Sequence, residues 1–81
     1  MKLFLTPQAE KQLKRLPQSN RKKIYKKLSY LEENPNSGKK LLGELGSIWS
    51  LKVWPYRIIY LIRRRQVWVV SILHRQRAYK K

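Results

Sequence analysis

Apolar side chains recur along this 81-residue chain with two different periods. In the first half they follow the i, i+4, i+7 spacing of one helix face twice, in Ala9, Leu13 and Leu16 and again in Ile24, Leu28 and Leu31. Between residues 48 and 73, β-branched and aromatic residues dominate, which is typical of strands. The chain is therefore predicted to place its helices first and most of its sheet afterwards.

Short signals set the limits of the early elements. The apolar run Lys2–Leu5 predicts a first strand, and Thr6–Pro7 predicts a helix start, because Thr caps helix N-termini and Pro suits the first helical position. A second helix is expected to be capped by Ser19 or Asn20 and to end before residues 34–38. The two helices are expected to form a hairpin.

Three strands are predicted in the second half. Polar and apolar positions alternate over residues 48–54, which puts Ser50 and Lys52 on the opposite face from Trp49, Leu51 and Val53. Tyr56–Ile62 and Val67–Leu73 are predicted as the next two strands, and the second of these is apolar enough to lie inside the sheet.

The predicted order is β-α-α-β-β-β, with residues 39–46 as a connecting stretch and residues 63–66 as a hairpin turn. This order favours an α+β fold: an N-terminal strand, a two-helix hairpin and a three-strand antiparallel meander, with the helices on one face of the sheet. The other face is expected to carry function. Because a chain of this length supports one core, residues 1–81 are predicted to be a single domain.

The charge adds an expected partner. Twenty Lys and Arg residues against four acidic residues give +16, far more than solubility requires. All the acidic residues come before residue 45, whereas nine cations follow it. Phosphate is the natural counterion for such a surface, so a polyanionic partner is expected.

Rare residue types limit the chemistry. The chain has no Cys, no Asp and one His, so no metal or other cofactor is expected and any catalysis is predicted to be metal-independent. No apolar run approaches the roughly 20 residues of a membrane span, and the run near the start is too short for a signal peptide. A cytoplasmic protein without a membrane partner is predicted.

Several segments together carry a family resemblance. They are the opening helix PQAEKQL, the Asn34–Pro35 loop, the segment LLGEL leading into WSLKV, the strand YRIIY at residues 56–60, and the terminal HRxxxY at residues 74–79. From end to end the chain resembles the RelE/ParE toxin superfamily, and it is closer to the RelE branch of mRNA interferases.

The resemblance implies an RelE-like fold and the toxin component of a type II toxin–antitoxin system. Its expected activity is that of an endoribonuclease, a hydrolase that cuts messenger RNA at the ribosome and inhibits translation. The expected partners are the messenger RNA, the ribosome and a cognate antitoxin with an acidic or amphipathic segment. In the ParE branch, the implied target is DNA gyrase instead.

Metal-free RNA cleavage requires a base for the 2′-hydroxyl, positive charge at the phosphate and an acid for the leaving 5′ oxygen. An antiparallel sheet can bring Lys52, Arg57 and Arg75 to one surface as a phosphate clamp. On the RelE pattern, Lys52 and Arg57 would hold the scissile phosphate, and Arg75 would stabilise charge or assist the leaving group. Tyr79 would stack on a base or take part in proton transfer.

Each candidate also has a structural interpretation. His74, the one side chain with an ordinary pKa near neutrality, is a candidate general acid or base, or else it ends a core strand and bonds to backbone. Lys52 is either a phosphate ligand or an edge-strand lysine that discourages aggregation. Arg57 is either a phosphate ligand or a solvated cation stacked on Trp54. Tyr79 alternatively anchors the tail on the sheet.

Further RNA contacts are predicted at Trp54, which is expected to be exposed, and at the tail cations Arg77, Lys80 and Lys81. Trp49 and Trp68 are expected in the core. Residues 63–65 are interpreted as a solvated turn. The lysines of the second helix either touch ribosomal RNA or keep the protein soluble; they are Lys22, Lys23, Lys26 and Lys27.

Ser50 departs from the RelE pattern, because the best-known RelE branch has a second lysine two positions before Lys52. Two alternatives therefore stand beside the interferase: a ParE-like inhibitor of gyrase, and a noncatalytic RNA-binding remnant of a toxin. Retention of Lys52, Arg57 and the terminal His-Arg-x-x-x-Tyr argues against the gyrase inhibitor, since a protein-binding poison needs no phosphate clamp.

Overall fold

The computed structural model describes residues 1–41 and 48–75, and its elements follow the predicted order with one addition. The elements are β1 (Lys2–Leu5), α1 (Pro7–Lys14), α2 (Gln18–Glu33), β2 (Lys39–Leu41), β3 (Ile48–Val53), β4 (Tyr56–Arg63) and β5 (Gln66–His74). The α+β class is confirmed. The prediction of a connecting stretch is wrong for Lys39–Leu41, which forms an edge strand paired with β3; the rest of that stretch lies outside the described residues.

The five strands form one sheet in the order β1-β5-β4-β3-β2. β1 runs parallel to β5, and every other neighbouring pair is antiparallel, so β3, β4 and β5 form the predicted meander. Two-residue turns join these strands, at Trp54–Pro55 and at Arg64–Arg65. Such tight turns fix the register of the strands they connect.

The two helices start differently. Thr6 caps α1 as predicted, because its hydroxyl accepts a hydrogen bond from the backbone N–H of Ala9 at 3.2 Å. The predicted cap of α2 by Ser19 or Asn20 is wrong: the helix begins at Gln18, and no side chain caps it. Asn20 instead donates its amide N–H to the hydroxyl of Tyr56 at 3.1 Å, so its side chain is used in a tertiary contact.

The helices cover one face of the sheet. Their apolar sides meet alternate residues of β3, β4 and β5 in a core built from Ala9, Leu13, Ile24, Leu28, Leu31, Val53, Ile58, Tyr60, Val67, Val69 and Ile72. The opposite side of the sheet, here called the open face, has no helix over it among the described residues. Trp68 was expected in this core, but it alternates with Val67 and Val69 and stacks on Phe4 on the open face, with ring centroids 4.8 Å apart.

Buried Tyr60 fixes the loop between α2 and β2. Its hydroxyl donates to the carbonyl of Pro35 at 2.8 Å and accepts from the backbone N–H of Gly38 at 3.1 Å. A Cβ atom at Gly38 would come within 2.6 Å of that hydroxyl oxygen, so only glycine fits there. Burial raises the pKa of the Tyr60 phenol above its ordinary value, and the hydrogen bond from Gly38 partly offsets this.

Replacing Tyr60 by phenylalanine is expected to lower the free energy of unfolding by about 1–3 kcal/mol, because the Pro35 carbonyl and the Gly38 N–H lose their partner. Thermal unfolding followed by circular dichroism should show Tm reduced by roughly 5–15 °C. Tyr25→Phe is the matched control, since Tyr25 is exposed, and its Tm should stay close to that of the parent. Equal Tm values for all three proteins would show that the loop is not held by this hydroxyl.

Candidate active site

Pairing of β3 with β4 places two cations side by side on the open face. The turn at Trp54–Pro55 sets Val53 opposite Tyr56, so Lys52 comes directly opposite Arg57. Side chains opposed in this way have Cβ atoms about 4.5–5.5 Å apart, and like charges at that distance repel. An anion bound between Lys52 and Arg57 would relieve that repulsion.

Ser50 holds the guanidinium of Arg57. The Nη1 group donates to the Ser50 hydroxyl at 3.1 Å, and only 4% of Ser50 is exposed. A buried acceptor of this kind restricts where the guanidinium points. From the sequence, Ser50 was noted only as a position where the best-known RelE branch has a lysine, and this contact was not predicted. The hairpin register contained the signal, because Ser50 shares a face with Lys52 and lies diagonally from Arg57.

Arg75 follows the end of β5 and lies near Lys52 and Arg57. Its backbone N–H donates to the carbonyl of Pro55 at 2.7 Å, and its guanidinium carbon lies 4.5 Å from the ring centroid of Trp54. Trp54 is 63% exposed, which confirms its predicted exposure. A surface depression is lined by Lys52, Arg57 and Arg75 together with residues 54–56. We call these three cations the clamp.

Lys39 is a cation of this region that sequence reasoning missed. It lies opposite Ser50 across the β2–β3 pair. A shallow depression next to the clamp is lined by Lys39, Ser50, Lys52 and Arg57, among others. Because the stretch containing Lys39 was not predicted to be a strand, nothing in the sequence pattern placed it there.

His74 lies on the other side of the sheet. Leu73 pairs with Arg57, so the next residue, His74, pairs with Tyr56 and turns towards the helices. Its ring meets that of Tyr56 edge to face, with centroids 5.4 Å apart, and the depression that it lines also includes Gln12 of α1. The structure therefore does not bring His74 together with the clamp.

A bulge in β5 affects which side of the sheet His74 faces. The pairing of β4 with β5 shifts between Ile59 and Tyr60. The side-chain carbonyl of Gln12 in α1 accepts hydrogen bonds from the backbone N–H of Ile72 at 2.7 Å and from the hydroxyl of Ser71 at 3.3 Å. Because a bulge changes which residues share a face, this contact helps decide where His74 points.

The structure does not describe the predicted site residues of the C-terminal tail. Tyr79, Arg77, Lys80 and Lys81 lie outside the described residues. Arg64 and Arg65 form an exposed turn with positive φ at the far end of β4, roughly 23 Å from the clamp by the rise of an extended strand. They belong to a different end of the sheet from the candidate site.

The chemistry available at the clamp is that of fixed positive charge. Within residues 1–41 and 48–75, no group of three or more His, Cys, Asp or Glu side chains is placed to hold a metal ion. Guanidinium and ammonium groups bind phosphate oxygens through charge-assisted hydrogen bonds. Neither of the helices that the structure describes is long and apolar enough to cross a membrane.

Comparison with known protein families gives a match over nearly the whole chain. A sequence model described as the ParE toxin of the type II toxin–antitoxin system parDE matches residues 3–79. No curated protein matches the chain significantly.

Solved structures share the fold. One is a chain of the toxin–antitoxin complex RelBE2 from Mycobacterium tuberculosis, with a TM-score of 0.81, 26% identity, and coverage of 91% of this chain and 96% of that one. Another is a chain of the archaeal RelE–RelB complex from Pyrococcus horikoshii OT3, with a TM-score of 0.80 and 20% identity, covering 94% of this chain and 96% of that one. The isolated RelE toxin of E. coli has a TM-score of 0.77 and 25% identity, covering 90% of this chain and 82% of that one. The predicted RelE-like fold is confirmed.

Proposed function

We propose a function for this chain from the premise that it belongs to the ParE toxin family of type II toxin–antitoxin systems. We propose that it is a metal-independent endoribonuclease, which cuts messenger RNA on the ribosome and thereby inhibits translation. One observation carries the proposal: Lys52 and Arg57 are directly opposed on the open face, and Arg75 lines the same depression.

The clamp suits the charge that develops during RNA cleavage. The 2′ oxygen attacks phosphorus while the bond from phosphorus to the 5′ oxygen breaks, leaving a 2′,3′-cyclic phosphate and a 5′-hydroxyl. The proton of the 2′-hydroxyl goes to a base, and the 5′ oxygen receives one from an acid. We assign Lys52 and Arg57 to the non-bridging phosphate oxygens and Arg75 to the leaving-group side, where fixed cations stabilise the transition state.

Proton transfer is assigned to Tyr79 rather than to His74. The ring of His74 faces the helix side of the sheet, away from the clamp, so it is poorly placed to reach an RNA bound on the open face. The RelE likeness supports Tyr79 as the group that stacks on a base or moves a proton. The same likeness supports RNA contacts by the tail cations Arg77, Lys80 and Lys81.

We infer that a cognate antitoxin neutralises this protein. The solved structures from M. tuberculosis and P. horikoshii are toxin–antitoxin complexes. The charge of +16 calls for an acidic segment, and the open face also exposes apolar Phe4, Leu41 and Ile48. A segment that is both amphipathic and acidic would cover the apolar residues and the clamp together.

The test is in vitro translation of a defined message with the purified protein, followed by mapping of new 5′ ends by primer extension. We expect new ends when the message is translated and none when ribosomes are omitted. A chelator cannot test metal independence here, because the ribosomes themselves require Mg²⁺ and no cleavage is expected without them. Instead, the free Mg²⁺ beyond the ribosomes' own requirement is removed, and cleavage should continue. An intact message and undiminished translation would contradict the proposal.

A second function is suggested by the match to the ParE toxin family. The resemblance to the ParE branch implies DNA gyrase as the target. A supercoiling assay with purified gyrase separates the two functions. Inhibited supercoiling with intact messages would support the gyrase inhibitor. Salt-sensitive RNA binding without cleavage or gyrase inhibition would support the noncatalytic remnant.

Replacing Ser50 by alanine is expected to slow message cleavage by about tenfold, because the guanidinium of Arg57 loses the acceptor that orients it. Single-turnover cleavage on programmed ribosomes measures the effect. Ser71→Ala is the matched control: Ser71 is also a buried strand serine, but its hydroxyl bonds to α1 and not to the clamp. Equal rates for the two variants, with both folded, would argue against an orienting role for Ser50.

A further inference from the structure

The outer side of α2 carries four exposed lysines that the clamp does not use: Lys22, Lys23, Lys26 and Lys27. We call them the α2 stripe. They lie away from the buried side of the helix, which carries Ile24, Leu28 and Leu31. Spacing of i, i+4 arranges them in two rows, each spanning about 6 Å of the helix axis. Two parallel rows of cations therefore face outwards.

The α2 stripe works against the stability of its own helix. Like charges four residues apart repel one another, and no acidic residue stands three or four positions from any of these lysines. The acids of α2 are Glu32 and Glu33 in the last turn, the end where the helix dipole disfavours negative charge. The first turn has neither an acid nor a side-chain cap. Local conflicts of this kind are expected where a surface serves function.

We propose that the α2 stripe binds the phosphate backbone of double-stranded RNA, at a site separate from the clamp. Lysine ammonium groups act as point charges, which contact phosphates without reading base edges. Lys27 is partly positioned already, because its Nζ lies 5.3 Å from the ring centroid of Tyr30. Double-stranded RNA offers two regular rows of phosphates, and the stripe offers two rows of cations.

The two surfaces lie on different sides of the molecule. α2 belongs to the helical layer, whereas the clamp lies on the open face of the sheet. One molecule of the protein can therefore bind a double-stranded RNA segment through α2 while a single-stranded RNA segment lies in the clamp. This arrangement does not depend on cleavage, so it can be tested separately from the proposed endoribonuclease activity.

The decisive variant is Lys22→Glu combined with Lys23→Glu. Each new carboxylate would stand four residues before a lysine, the favourable orientation for a helical ion pair, so Tm should rise by about 3 °C or more. Binding of a fully paired RNA hairpin should nevertheless weaken by about tenfold or more near 0.15 M salt. The slope of log K against log salt should become shallower by about 2. A stripe that only solubilises the protein predicts no such loss of binding.

Lys2→Glu combined with Arg63→Glu is the matched control. It changes the net charge equally, and both residues are exposed and flank Gln66 at the far end of the sheet. Hairpin binding should weaken by less than about threefold in this control. Equal weakening in both variants, or no binding by the parent protein, would overturn the proposal. Arg57→Ala should keep hairpin binding whether or not it cleaves RNA, which separates this inference from the proposed function.

Discussion

Replacing Arg57 by alanine is expected to slow message cleavage on ribosomes by about 100-fold or more and to abolish growth arrest. The position of Arg57 in the clamp is restricted, because it lies opposite Lys52 and donates to the buried Ser50 hydroxyl. In the proposed mechanism, removing Arg57 withdraws positive charge from the point where the phosphate becomes more negative. Single-turnover primer extension gives the rate, and viable counts after induction give the toxicity.

Two variants sharpen this result. Arg57→Lys keeps the charge but loses the planar fork of donors, so it should retain only part of the activity. Arg63→Ala removes the same residue type from the other end of β4 and should leave cleavage unchanged. Parental cleavage rates in a folded Arg57→Ala protein would exclude a clamp built on this residue.

Replacing Arg75 by alanine is expected to slow cleavage by about 50-fold, and Trp54→Ala by about tenfold. We expect Trp54 to act through Arg75, because its exposed ring lies 4.5 Å from the guanidinium carbon of Arg75. The double variant should therefore be no slower than Arg75→Ala alone. Measuring all four proteins as a double-mutant cycle tests this dependence.

The control for the cycle is Trp68→Ala, since Trp68 also lies on the open face but stacks on Phe4. It is expected to reduce stability without changing the cleavage rate of the folded protein. If the effects of Trp54→Ala and Arg75→Ala simply multiply, Trp54 does not act by positioning Arg75, and a direct contact of Trp54 with RNA explains its effect.

The open face of the sheet was largely predictable from the sequence. Alternation in residues 48–54 placed Lys52 on the opposite face of the sheet from Val53. A two-residue turn at Trp54–Pro55 then puts Arg57 beside Lys52. These are local rules of strand geometry, so they hold before any tertiary contact is considered. For the same reason Trp54, at the tip of that turn, was correctly expected to be exposed.

His74 shows where local rules stop. Its position depends on a bulge in β5, and the hydrogen bonds from Ile72 and Ser71 to Gln12 that accompany this bulge join residues about sixty positions apart. Trp68 was misplaced for a related reason. An almost wholly apolar strand does not indicate which of its faces meets the helices, and only packing of Val67 and Val69 decides it.

The sequence by itself determined the order of the helices and strands apart from β2, the basic character of the protein and the placement of Lys52 and Arg57 on neighbouring strands. These features depend on periodicity, turn length and charge, which are properties of neighbouring residues. The tertiary structure alone decided that Ser50 accepts a hydrogen bond from Arg57, that the ring of Trp54 lies against Arg75, and that His74 turns towards the helices. Each of these depends on side chains meeting across strands and layers, where register, bulges and burial set the geometry.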